Sequence, residues 1–170
     1  MAPGTAVTGS PIVSCGGVSD VNNSAATQAQ LDLTTAYNDA LSRSGPTTVE
    51  SDLTGLTLSP GLYQTSPGGT LALNGNVTLD GGTDPNPAFI FQVGSALNIN
   101  SGTVILAGTA KAINVFWQVG TSCTIGPDAS MVGIIMADQS ITFDLGATLL
   151  GRALAHVAAV TLDTNNITNP

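Results

Sequence analysis

The chain has 170 residues, of which 42% are hydrophobic and only 8% charged, with three Lys/Arg against eleven Asp/Glu and a net charge of −8. That length supports one domain with a real core, and the apolar content excludes a disordered chain. Arg43, Lys111 and Arg152 are too few and too scattered to bind nucleic acid tightly, the negative balance disfavours anionic membrane surfaces, and no apolar run approaches the ~20 residues of a membrane-spanning helix. No nucleic-acid or membrane partner is therefore expected. Soluble domains usually carry about 25% charged residues, so this surface must be built from Thr, Ser, Asn, Gly and Ala.

Residues 1–22 are expected to form an N-terminal cap segment of a single domain spanning 1–170. Met1-Ala2-Pro3-Gly4 has neither the basic start nor the apolar centre of a signal peptide. Cys15 and Cys123, the two cysteines, fit either a disulfide or two separate thiols with Cys123 in the core. Within the next segment, 23–44, residues 24–43 lack Gly and Pro. They place Ala26, Ala29, Leu33, Ala36, Tyr37, Ala40 and Leu41 on one helical stripe. Asn23 or Ser24 can cap the start, and Gly45-Pro46 stops the helix.

Within the expected solenoid segment, 46–170, the text changes from about residue 54 onward to short alternating apolar runs broken by Gly, Asn and Asp, a strand signature. The runs repeat. Phe91-Gln92-Val93-Gly94 returns as Trp117-Gln118-Val119-Gly120. Asn76-Val77-Thr78-Leu79, Ala96-Leu97-Asn98-Ile99, Ser122-Cys123-Thr124-Ile125, Ser140-Ile141-Thr142-Phe143 and Ala159-Val160-Thr161-Leu162 are variants of one phrase. Their spacings, mostly 18 to 20 with one of 26, suit coils of a three-sided solenoid carrying insertions.

Strand alternation turns Val77, Leu97, Cys123, Ile141 and Val160 inward, together with Leu79, Ile99, Ile125, Phe143 and Leu162. Asn76, Thr78, Ala96, Asn98, Ser122, Thr124, Ser140, Thr142, Ala159 and Thr161 then point outward. Coils stack ~4.8 Å apart and alternate residues of a strand lie about 6.6–7 Å apart. The outward groups would form a regular array of hydroxyls, amides and methyls. Such an array fits either a plain solvent-facing sheet, since Thr is a good strand former, or a surface that holds water in an ice-like layer. The residues alone leave both open.

Phe89-Ile90-Phe91, Val115-Phe116-Trp117, Gly133-Ile134-Ile135-Met136 and Ala153-Leu154-Ala155 are apolar on both alternations and so must be covered on both sides. The helix is the candidate cover, which makes Trp117 and the Phe residues packing groups and not a sugar platform. His156 has no catalytic motif around it, and the dispersed carboxylates form no EF-hand or GGxGxD calcium repeat. No enzyme activity, metal or cofactor is expected. Asn22, Asn76 and Asn166 lie in N-x-S/T sequons, and a glycan on Asn76 would obstruct the outward array.

Several long phrases then resemble a large microbial ice-binding, or antifreeze, family. They are APGTAVTG at 2–9, TQAQLDLTTAYNDA at 27–40, LTGLTLSPGLY at 53–63, DPNPAFIFQVGSAL at 84–97, INVFWQVGTSCTIG at 113–126 and GRALAHVAAVTLDTNNIT at 151–168. The resemblance implies a mainly β fold, a right-handed, discontinuous three-sided β-helix with one long α-helix along an apolar face. It also implies a secreted, non-enzymatic, cofactor-free monomer whose partner is the ice surface. The family's loose Thr–Ala/Gly–X–Thr/Asn motif falls on Ser95–Asn98, Thr121–Thr124, Gln139–Thr142 and Ala158–Thr161, the second being nearest the full pattern. The expected ice-contacting residues are thus Asn76, Thr78, Ala96, Asn98, Thr121, Ser122, Thr124, Ser140, Thr142, Ala159 and Thr161. Members of the family begin roughly one coil (~20 residues) before PGTAVTG, so a chain starting there is expected either to lack a coil or to close its end differently. The alternative is a β-helix carbohydrate-binding or adhesin module without ice activity, although acid-sugar binding would call for more cations than this chain has.

Overall fold

Helix α1 covers Ser24–Ser42, within one residue of the span its periodicity predicts. Asn23 caps it, its side-chain oxygen accepting from the Ala26 N–H at 2.9 Å. These details come from a computed structural model that describes residues 19–170, so Cys15 and most of the expected cap segment lie outside the described residues. Only Ala26, Leu33 and Ala40 of the expected stripe are buried, while Ala29, Ala36 and Leu41 are exposed and Tyr37 is half-buried. The buried three are seven apart, which is nearly two turns, so the helix rests on its support along a single line. Removing its cap in Asn23→Ala is expected to cost about 1 kcal/mol, read as a lowered Tm in thermal unfolding.

The chain then runs through β1 (Thr47–Thr48), β2 (Thr57–Leu58), β3 (Gly61–Gln64), β4 (Leu71–Leu73), β5 (Val77–Asp80), β6 (Phe89–Val93), β7 (Leu97–Ile99) and β8 (Val104–Ala107). After a 3-10 turn at Ala112–Asn114 come β9 (Val115–Val119), β10 (Cys123–Ile125), β11 (Ser130–Ala137), β12 (Ile141–Phe143), β13 (Thr148–Ala155), β14 (Val160–Thr161) and β15 (Asn166–Thr168). All pairings are parallel. They give a long sheet ordered β1-β3-β6-β9-β11-β13-β15, a five-stranded sheet β14-β12-β10-β7-β4 (called the flat sheet for the short side chains of its outer face) and a short sheet β2-β5-β8. Successive strands visit the three sides in turn, as the repeat predicts for a solenoid.

The interior is a column of the inward residues of every coil. Tyr63, Phe91 and Trp117 stack along it with centroids 5.4 and 4.0 Å apart. The Trp117 indole N–H donates to the buried Val132 carbonyl at 2.9 Å. A second, smaller core lies outside the long sheet, where Leu33 and Ala40 of α1 meet Ile90 and Met136, with Phe116, Ile134 and Leu154 half-buried around them. The two-sided apolar strands are therefore covered by the helix, as expected.

Coil length is uneven for a visible reason. In the longer coils a loop joins the short sheet to the long one, as between β5 and β6 or β8 and β9. In the shorter coils one continuous strand, β11 or β13, serves both sides, and β11 bends at Gly133 (φ +102), which pairs with Gly151 of β13. Gly151 stacks on Gly133 so closely that a Cβ there would fall on the Gly133 carbonyl.

This unevenness overturns one expectation. Leu71–Leu73, not Val77–Leu79, pairs with Leu97–Ile99. Asn76 and Thr78 therefore stand on the short sheet, where Thr78 lies between Thr57 and Ile105. The coil is 26 residues long at this point (Leu71 to Leu97), whereas the sequence alignment assumed 20. Leu162 also departs from its expected inward position. It is 48% exposed, because β14 ends at Thr161 and has no neighbour beyond it among the described strands.

Candidate functional site

The flat sheet presents two aligned rows of small side chains. Ala72, Asn98, Thr124, Thr142 and Thr161 are paired in register across β4, β7, β10, β12 and β14. One alternation earlier, Ala96, Ser122, Ser140 and Ala159 form the second row, and Thr70 stands before Leu71 as Ala96 stands before Leu97. The structure thus brings together Ala96, Asn98, Ser122, Thr124, Ser140, Thr142, Ala159 and Thr161. Thr121 is exposed at the corner, held by its N–H to the Ser95 carbonyl at 3.1 Å. Thr70 and Ala72 replace Asn76 and Thr78. The signal for them was present in the 26-residue step, which carries Gly94-Ser95-Ala96-Leu97 back onto Gly68-Gly69-Thr70-Leu71.

Beneath these rows lies a rigid floor. Leu71, Leu73, Leu97, Ile99, Cys123, Ile125, Ile141 and Phe143 are all at or below 1% exposure, so alternate positions of each three-residue strand are locked into the core. Cys123 is a free thiol, and burial pushes it well above its ordinary titration range. It serves packing here, not redox or metal chemistry. Ser122 and Ser140 bond each other through their hydroxyls at 3.0 Å. No charged residue occurs in either row.

The corner beyond β4 is held by a polar chain. Asp52 accepts from the Thr54 N–H and hydroxyl at 2.9 and 2.6 Å and from the Asn74 amide at 2.7 Å, and Asn100 donates to Asn74 at 2.6 Å. These hydrogen bonds, that from Thr54 foremost, hold the Asp52 carboxyl at about 2, below its usual 3.8. A depressed carboxylate contributes stability above its unfolded value and loses it as pH falls through the folded one. Melting of the wild-type chain is therefore expected to drop more between pH 4 and pH 2 than that of Asp52→Asn, which has no proton to take up there.

The other two sides offer no comparable surface. The long sheet is covered by α1. On the short-sheet side the outward row of Thr57, Thr78 and Ile105 mixes hydroxyl with exposed apolar groups, and Leu150 continues it at 40% exposure. Asn76 accepts there from the Thr103 N–H at 3.0 Å, so a glycan at its sequon would not touch the flat sheet. His156 does find partners that its local sequence hides. Its Nδ1 is 3.5 Å from Asp138 and its Nε2 is 3.0 Å from the Thr34 hydroxyl. That hydroxyl already donates to the Gln30 carbonyl at 2.8 Å, which makes the group a pin between α1 and the solenoid. Among the described residues no group of three His, Cys, Asp or Glu is placed to hold a metal ion.

A three-sided parallel solenoid, one side roofed by a helix and another lined by small uncharged side chains, defines a class of β-helical proteins. Within it, the chain matches the Ice-binding-like family over residues 2–168 and belongs to that family. It is 40% identical over 171 residues to an ice-binding protein of Nostoc sp. (strain HG1), covering 99% of this chain and 63% of that protein. It is 38% identical to an ice-binding protein of Colwellia sp., covering 82% of this chain and 54% of that one. The chain thus spans less than two thirds of either relative. Among solved structures, the ice-binding protein of the Antarctic ascomycete Antarctomyces psychrotrophicus superposes with a TM-score of 0.82 at 35% identity, covering 88% of this chain and 73% of that one. An ice-binding protein from an Antarctic biological consortium gives 0.81 at 43% identity, covering 86% and 68%.

Proposed function

We propose that this chain adsorbs to ice through its flat sheet and thereby restrains ice growth and recrystallisation. The observation that carries the reading is the pair of uncharged, in-register rows, with no side chain larger than Asn, in a chain whose relatives are ice-binding proteins. Strands ~4.8 Å apart and alternate residues about 6.6 Å apart repeat the outward groups in two directions. Hydroxyls and amides hold water at these intervals, methyls fill the spaces between, and no ion imposes its own hydration shell. Water ordered in this way can join the crystal lattice.

Ala96, Asn98, Ser122, Thr124, Ser140, Thr142, Ala159 and Thr161 form the proposed contact, with Thr70 and Ala72 added at one end and Thr121 at the rim. Asn76 and Thr78 are left out of it. The role is binding, with no reaction or cofactor, and it calls for one copy of the chain acting outside the cell. Nanolitre osmometry on a single ice crystal tests the reading. Faceting with a gap between melting and growth temperatures is expected, and round, freely growing crystals in the presence of folded protein would reject it.

A further inference from the structure

We propose that the polar contact with ice is carried by one row of the flat sheet, Thr124, Thr142 and Thr161, and that the neighbouring row serves as a nearly apolar flank. This rests on the ice-adsorption reading and divides its surface. The Ser122 and Ser140 oxygens are 3.0 Å apart, far closer than the ~4.8 Å between the strands that carry them. The two side chains therefore lean together, and one of their two hydrogens is committed between them. Ser122 Oγ also lies 3.5 Å from the Ser140 N–H. Ala96 and Ala159, on either side, have no polar side-chain atom. This row offers a single inturned pair where a lattice would need an evenly spaced line.

The threonine row differs on each count. Thr124 pairs in register with Thr142, and Thr142 with Thr161. Among the described residues no protein group takes their hydroxyls, so each keeps its donor and both acceptor sites for water. Nothing draws them off the strand spacing, and each adds a methyl that fills the space beside its hydroxyl.

Two double variants separate the rows. Ser122→Ala with Ser140→Ala, and Thr124→Ala with Thr142→Ala, remove the same number of hydroxyls from the same two strands. Thermal melting checks that each is folded, and thermal hysteresis is read at equal concentration. The serine pair, which lies within the contact, is expected to shrink the gap by about 1.5-fold, and the threonine pair by about fivefold or more, as loss of a central contact does. Equal losses from both pairs would overturn the division while leaving adsorption on this sheet intact. If neither pair alters the gap, the division fails. Whether adsorption on this sheet fails with it is then read from Thr124→Tyr, which is silent only if ice binds elsewhere.

Discussion

Tyrosine at position 124 or 142 is expected to abolish ice shaping and thermal hysteresis while leaving the fold in place. Thr124 is exposed at the middle of the flat sheet and Thr142 stands beside it in register. A phenol ring there rises above every neighbouring side chain, none larger than Asn, and holds the sheet away from a planar surface. The loss is all-or-none because adsorption needs the whole array to touch at once. Stability should move within about 0.5 kcal/mol, as for surface changes away from caps and cores, since Tyr suits a strand and the floor residues do not move. Osmometry reads the first effect and thermal unfolding the second. A tyrosine variant that still facets ice at full strength would show that the contact lies on another side.

The largest effect on stability is expected from Trp117→Ala, about 3–5 kcal/mol out of the roughly 5–15 that a domain has in all. Trp117 is 1% exposed, lies flat on Phe91 with ring planes 9° apart, and satisfies the Val132 carbonyl. Truncation leaves a cavity in the middle of the column and an acceptor with no donor. Trp117→Phe separates the two causes. It keeps most of the stack and loses the N–H, so it should cost about 1–3 kcal/mol. Denaturant unfolding of the three proteins measures both steps.

Much of this architecture was legible in the residues, and the failures have physical causes. The helix was readable because nothing competes with a Gly- and Pro-free run capped by Asn23. The ladder from Leu97 through Cys123 and Ile141 to Val160 was readable because one phrase kept its polarity pattern in every coil. Asn76 and Thr78 were misplaced because Leu71-Ala72-Leu73 and Val77-Thr78-Leu79 have the same buried–half-buried–buried alternation. Periodicity tells which way a side chain points and not which of three sides it occupies. The helix stripe was drawn too wide because exposed alanines cost nothing and so carry no information about contact. His156 and Asp138 are 18 residues apart, the same step that joins Ser122 to Ser140. Their meeting was written in the repeat, although no local motif announced it.

The largest variation in coil length falls at one place in the cross-section. Every complete strand of the flat sheet is three residues long, while the chain between the short and long sheets ranges from a loop to a single glycine bend. That corner is the vertex opposite the flat side. Growth or loss of chain there changes the girth of the solenoid without shifting a rung on the far side. If ice adsorbs on the flat sheet as proposed, the molecule has a working side and a free edge. A label, tag or second domain inserted between Gly81 and Ala88, or between Gly108 and Lys111, would ride behind the flat sheet and leave it bare.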